Sequence, residues 1–396
     1  MEFQKEEFTL LWKVYLAELL RGIGAFIIPF LTIFLQNKSL SLAQIGILLG
    51  IVSLTNFFFE IPTGVIADKY GRKFSALLGF SISYLAVFLM IFTDSYSVLM
   101  LLFFCHGVGF TFVSGAFDGW IYEYLKSHKK EEYMHNFYSR RISFSYLGLV
   151  LSGLIAGYLA SFLELYWLIA LDTLFGLFFI FILSRVPDPI HLEEKKPMTL
   201  KHFFGTIKFG FTLIKNNRNL LLLILASIFF TFAVGAKELL SQPAYVELGT
   251  PLSYLGYISS FGALIIFIIP NLLLTYNKKY HKRTMILFSI IELLLVCSLF
   301  FVSNYLLFAL LLSLSFLCGA IISPVSDSLF QHNSKTEVRA TAMSMYQMII
   351  SIIFSIVFFT TGALADIFGA KVIIALSGLF IIPSVICYCL IKEQTF

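Results

Sequence analysis

Charge is scarce in this chain. Asp, Glu, Lys and Arg make up 13% of it, against about 25% in a soluble globular domain, and that shortage excludes a fold with a water-wetted surface. Cysteine offers no framework either. Cys105, Cys297, Cys318, Cys387 and Cys389 all fall in apolar stretches with no paired ligand spacing, which argues against disulfides and thiolate metal sites and for small buried hydrophobes. No glycine-rich phosphate loop is present, so ATP is not the expected energy source. No nucleophile–base or metal-ligand spacing stands out, which argues against an enzyme, and no cofactor is expected. The opening MEFQKEEF is too acidic and too short in its polar part for a cleavable leader, and it runs straight into an apolar span.

What is present is apolar: 59% of residues are hydrophobic and the mean hydropathy is +0.88. The runs are long enough to cross a bilayer as helices of about 20 residues. Six fall in the first half, near 10–35, 42–67, 74–92, 98–125, a fifth after the basic stretch KSHKKEEYMHNFYSRR, and 165–183. Six more lie near 219–241, 252–275, 284–302, 305–330, 337–360 and 371–391. Between the halves, residues 184–218 carry prolines at 187, 189 and 197 and scattered charge, as a linker would. Within it, KHFFGTIKFGFTLIKNN has the make-up of an amphipathic surface helix. The expected architecture is all-α and membrane-integral, with bundles at 1–183 and 219–396. The net charge of +5 does not indicate nucleic acid, because the basic residues sit in short clusters between apolar runs. With both termini in the cytoplasm, every Lys and Arg except Lys38, Lys371, Arg21 and Lys237 falls on cytoplasmic segments or span ends. A monomer in the cell membrane, in contact with lipid, is expected.

The stretch FFFEIPTGVIADKYGRK, residues 57–73, stops an apolar span with charge. Gly64 and Ala67 leave little bulk, so a neighbouring helix can approach. Gly71 permits a backbone that other residues resist. Asp68 can meet unpaired amides at a helix start, and Arg72 offers a donor fork to a carboxylate. Either these residues latch helix ends together or they are ordinary topology-setting loop charges. GVIADKYGRK resembles the signature loop between helices 2 and 3 of the major facilitator superfamily, matching at Gly64, Ala67, Asp68, Gly71, Arg72 and Lys73, with Ile66 where Leu is usual. The resemblance implies twelve transmembrane helices in two pseudo-symmetric six-helix bundles around a central cavity. Drug/proton antiporter members are the nearest comparison, with departures. Phe103 replaces the arginine and His106 the glutamine of the family's helix 4 pattern, and helix 5 has no proline. The second-half loop YNKKYHKRT has no acid matching Asp68. An internal repeat supports duplication: GYLASFLELYWLIAL from Gly157 and GALADIFGAKVIIAL from Gly362 align at an offset of 205 residues.

Ionisable residues inside apolar spans are expensive and mark candidate sites. Glu18 and Arg21 are three apart and share a helix face, either on the transport path or as a self-satisfied pair. Asp118 and Glu123 are five apart and face differently. Asp118 is the better cavity acid, unless it only bonds neighbouring helices, and Glu123 is the better partner for Arg72. Lys237 and Glu238 are adjacent and point apart, so one of them can reach the cavity. Glu60, just before Pro62, suits gate chemistry together with Gly64, Asp68, Gly71, Arg72 and Glu123. Asp172 is an isolated internal acid, and Glu292 a support residue. The expected function is a proton-coupled secondary transporter exporting small amphipathic compounds by alternating access, with Glu18 and Asp118 as the preferred proton carriers. A transporter of a specific polar, anionic or zwitterionic metabolite is the alternative. A non-transporting receptor or lipid scramblase is the alternative of another class.

Overall fold

The computed structural model of the protein describes residues 5–189, 217–276, 281–334 and 339–391, and the candidate amphipathic helix of the linker lies outside them. All regular structure among these residues is helical. In the first part of the chain run α1 (Lys5–Gly24), α2 (Leu31–Asn37), α3 (Leu42–Tyr70), α4 (Arg72–Leu89), α5 (Tyr96–Val113), α6 (Ala116–Ser127), α7 (Tyr133–Leu159) and α8 (Leu165–Ser184). Then follow α9 (Arg218–Glu247), α10 (Leu252–Tyr276), α11 (His281–Ser298), α12 (Tyr305–Asn333), α13 (Arg339–Phe368), α14 (Ala370–Ser377) and α15 (Ile381–Leu390). Among the described residues, 11 helical segments are long and apolar enough to cross a membrane, and Leu252–Ile268 is a shorter apolar helix. The protein is a multi-pass membrane protein.

Two spans expected to be continuous are broken. The first stops at Gly24 and resumes through the short 3-10 turn Ile28–Phe30, with Pro29 inside it. Proline supplies no amide to the helical ladder, and its ring crowds the carbonyl four residues back. The fourth breaks at Ser114–Gly115, where Gly115 takes φ +70°, a left-handed conformation that disfavours a side chain. A third correction concerns KSHKKEEYMHNFYSRR. Its second part is helical from Tyr133, so Arg140 and Arg141 sit on α7 rather than in a loop.

Contacts divide the described residues into two compact units: one within Met1–Phe34, Phe58–Met198 and Leu252–Leu264, the other within Leu35–Phe57, Thr199–Pro251 and Ile265–Phe396. The core of the first unit gathers Leu11, Val14, Tyr15, Phe117, Trp120, Phe137 and Phe179. Helices there approach through glycine. A side chain at Gly22 would meet the α7 backbone at Ser145 and Gly148, and Gly79 on α4 stands against Gly109 on α5. On α7, Gly153 and Gly157 lie against Gly256 and the Ser253 carbonyl of α10. Lys73 donates to the carbonyls of Ser184 at 2.8 Å and Val186 at 2.7 Å, satisfying the open end of α8.

In the second unit the same devices recur. Gly362, at the repeat position of Gly157, lies against the Leu42 carbonyl at the start of α3. The Asp366 carboxylate accepts from the amides of Leu42 at 2.8 Å and Ala43 at 2.9 Å, and Glu247 does the same for Ala370 at 2.6 Å and Lys371 at 3.0 Å. Each acid answers unpaired amides and the positive end of a helix dipole. Lys282 donates to the Ile391 carbonyl at 2.6 Å, just past the end of α15.

Two glycines provide a test of this packing. Gly148→Val drives a branched side chain into the α1 backbone and is expected to cost about 1–3 kcal/mol. Gly64→Ala, where no atom lies within 4 Å of an added Cβ, is expected to leave stability unchanged or slightly raised. Apparent melting midpoints of the two purified variants in detergent check the contrast, and equal midpoints contradict it.

Candidate substrate cavity

The first unit holds an open cavity of about 630 Å³. Both helix breaks line it: Ala25, Ile27 and Ile28 from the first, Ser114 and Gly115 from the second. Interrupted membrane helices are where transporters place polar ligands, because freed backbone groups and helix ends are then available. Around the breaks stand Phe80, Phe103, Phe110 and Phe117, with Tyr84, His106 and the charged residues Glu18, Arg21, Asp118, Arg141 and Asp172. Phe80 holds the wall in place, edge-on to Phe117 at 6.0 Å and to Phe179 at 4.7 Å.

The charges are organised in pairs. Arg21 donates through Nε at 2.9 Å and Nη2 at 2.7 Å to Glu18 Oε2, one turn back on α1, and its Nη2 also reaches Ser145 Oγ on α7 at 3.1 Å. Glu18 is 2% exposed, while the Arg21 side chain is 40% exposed, so the acid is held inside and the guanidinium lies toward open space. Arg141 donates to Asp118 Oδ1, and its guanidinium carbon lies 5.4 Å from the centre of the Phe117 ring. Because the helix breaks at Gly115, Asp118 falls in the first turn of α6, where the helix dipole favours a carboxylate. His106 Nδ1 is 3.5 Å from the Ser83 carbonyl, and Ser83 Oγ donates to the His106 carbonyl at 3.2 Å. Among the described residues no three His, Cys, Asp or Glu side chains come together to hold a metal ion.

The other candidates lie elsewhere. Lys237 is fully buried in the second unit, bonded to Glu292 Oε1 at 2.5 Å and Ser315 Oγ at 2.9 Å, with its ammonium 4.9 Å from the centre of the Phe316 ring. It does not line this cavity, and Glu292 is its counter-charge. Glu238, the next residue, is exposed. At the signature loop, Arg72 Nε meets Glu123 Oε1 at 3.3 Å, the partner anticipated from spacing, and its guanidinium lies against Gly119. Gly71 takes φ +100° at the start of α4, as a turn closed by glycine requires. Asp68 is exposed and has no hydrogen bond or ion pair with another described residue. Gly64 corrects the expectation of a close helix approach: the space beside it is open. Glu60 is half-buried with no ion pair among the described residues.

Two residues escaped the sequence reading. Arg141 looked like a topology-setting loop charge and is the partner of Asp118. Glu7, in the polar opening of the chain, is fully buried, with Arg140 at 2.5 Å and the Tyr15 hydroxyl at 2.8 Å. The available signal was helical spacing: Phe137, Arg140, Arg141 and Phe144 are placed to share one face.

The chain matches the model of the Major Facilitator Superfamily over residues 14–357. The MFS-type transporter YxaM of Bacillus subtilis strain 168 is 26% identical over 271 residues, 67% of this chain and 66% of YxaM, so the match spans just under two thirds of that relative. The quinolone resistance protein NorA of Staphylococcus aureus is 29% identical over 126 residues, 32% of each chain. A crystal structure of a mutant of the nucleoside transporter NupG superposes with a TM-score of 0.81, covering 97% of this chain and 100% of that one at 14% identity, a likeness of fold alone. With most of its length matched by the family model, this chain belongs to the Major Facilitator Superfamily, a family of membrane transporters and not of enzymes.

Proposed function

We propose that the protein is a proton-coupled secondary transporter that exports small amphipathic compounds by alternating access, with twelve spans in two six-helix bundles, 1–183 and 219–396. The observation that carries this reading is the cavity between two helix breaks, walled by aromatic rings and holding two arginine–carboxylate pairs. An aromatic wall takes an apolar body, and the ion pairs lining the cavity give the site its response to protons. Protonating Glu18 or Asp118 removes the charge that holds Arg21 or Arg141, freeing a guanidinium and relaxing the contact between α6 and α7 or the hold on α1. At the signature loop, Arg72 and Glu123 tie the start of α4 to α6. Asp68, unpartnered among the described residues, is available to a helix end in the outward-facing state. Glu60 and Gly71 belong to the same gate. Glu238, exposed on the second unit, is a further candidate for substrate contact. The transporter functions as a monomer in the cell membrane with both termini in the cytoplasm, exchanging protons and a small molecule.

One observation favours the alternative of an anionic or zwitterionic metabolite: Arg21, lining the cavity with an exposed side chain, offers donors to a substrate carboxylate. In that case transport is driven by substrates bearing a carboxylate, and Arg21→Gln loses them while sparing cations.

Coupling is tested in vesicles reconstituted with purified protein, with pH and voltage gradients imposed separately and ethidium as the amphipathic probe. Wild type is expected to move the probe against its gradient when protons flow the other way. Glu18→Gln and Asp118→Asn are each expected to reduce that movement about tenfold or more while leaving passive exchange in place. Unimpaired gradient-driven movement by the double variant eliminates this pair as the coupling site.

Topology is tested by single cysteines introduced at Asn37 and Lys129, both exposed, in a background lacking the native five. An impermeant maleimide applied to intact cells is expected to label position 37 and spare 129. The opposite pattern reverses the orientation.

A further inference from the structure

Five carboxylate and guanidinium side chains line the cavity, and two ion pairs account for four of them: Glu18 with Arg21, and Asp118 with Arg141. The fifth is Asp172, in the middle of α8, which is 8% exposed and has no basic partner among the described residues. Its hydrogen-bonding neighbour is a backbone amide, that of Ile27, which lies in the break of the first span. Beside it stands Tyr84, whose ring lies against Gly176, one turn further along α8. The Tyr84 hydroxyl is within electrostatic reach of Asp172, Arg21 and Glu18.

The lining therefore carries three carboxylates against two guanidiniums. With all five ionised, that excess is one negative charge, on the acid whose charge no side chain answers. An ionised carboxylate taken out of water without a counter-charge is costly, and a cation arriving from outside relieves that cost. Glu18 and Asp118 are not equivalent receivers, because each must first release its arginine. The surrounding surface suits the same ligand, since aromatic ring faces attract positive charge and cover apolar groups.

We propose that Asp172 is the substrate-binding acid of this cavity. It takes the positive charge of an amphipathic organic cation, a quaternary or protonated amine or a phosphonium, whose apolar body lies against Phe80, Phe103, Phe110 and Phe117. The assignment rests on reading the cavity as a site for amphipathic compounds and narrows that class to cations. It also separates two tasks: the arginine-paired acids respond to protons, and the unpaired acid recognises the substrate.

Three probes of similar apolar bulk and different charge test this by equilibrium binding to purified protein in lipid nanodiscs: tetraphenylphosphonium, the tetraphenylborate anion of the same shape, and neutral triphenylphosphine oxide. Wild type is expected to prefer the phosphonium over the borate. Asp172→Asn is expected to weaken phosphonium binding about tenfold or more while keeping the affinity of the neutral probe, which also reports that the variant is folded. Asp172→Glu, which retains the charge one methylene further out, is expected to preserve the preference for the cation and keeps the test decisive if Asp172→Asn does not fold. Undiminished phosphonium binding by Asp172→Asn, or a wild type that prefers the borate, overturns the assignment while the amphipathic reading stands. Failure of wild type to bind any of the three removes the amphipathic reading, and the assignment with it.

Discussion

A charged side chain inside a membrane-spanning helix has to find its answer within the protein, because lipid offers none. Much of this structure follows from that constraint. Glu7 is answered by Arg140, Asp118 by Arg141 and Lys237 by Glu292, each pair joining two different helices. Glu18 is answered within its own helix by Arg21, which then extends to Ser145 on α7. Breaking a fully buried pair such as Lys237–Glu292 by removing one partner costs about 3–5 kcal/mol. These contacts therefore fix which helices are neighbours, a task that apolar side chains in an apolar solvent perform poorly. Glycine completes the work by letting backbones touch, as at Gly22 and Gly148 between the same two helices.

The cavity lies where the helical ladder is interrupted, and the interruptions come from ordinary residues: Pro29 after Gly24 in one span, Ser114–Gly115 in the other. Each break has an acid beside it. Asp118 begins the helix that resumes after the second, and Asp172 lies at the amide of Ile27 in the first. Unpaired backbone groups in an apolar setting need partners, so a broken helix calls for polar neighbours, and those neighbours are then available to a ligand. The fold and the site share one cause.

The all-helical, membrane-spanning architecture was legible in the sequence, because apolar runs long enough to cross a bilayer and the signature loop are local patterns. The face shared by Glu18 and Arg21 followed from a spacing of three, and the pairing of Arg72 with Glu123 from their placement near the same end of two spans. What escaped were pairings that no local pattern announces. Arg141 reads as a loop charge because a basic residue between spans usually is one, and nothing local announces that the helix starts at Tyr133. Lys237 looked like a cavity residue because its counter-charge, Glu292, is 55 residues away. The breaks at Gly24–Pro29 and Gly115 were readable from residue type but were masked by the strength of the apolar runs around them. Gly64 shows the opposite error: a small residue suggested a close approach where the space is open.

The twelve-residue helix α6 has a mechanical consequence. At 1.5 Å per residue it is a stiff bar about 18 Å long, released from α5 at a glycine. One side of it carries Asp118 against Arg141 at the cavity wall; another carries Gly119 and Glu123 against Arg72 at the signature loop. These two grips are separated by little more than one helical turn on a body that cannot flex between them. Any roll or tilt of the bar that loosens one grip displaces the other by a comparable distance, as at the two ends of a crank.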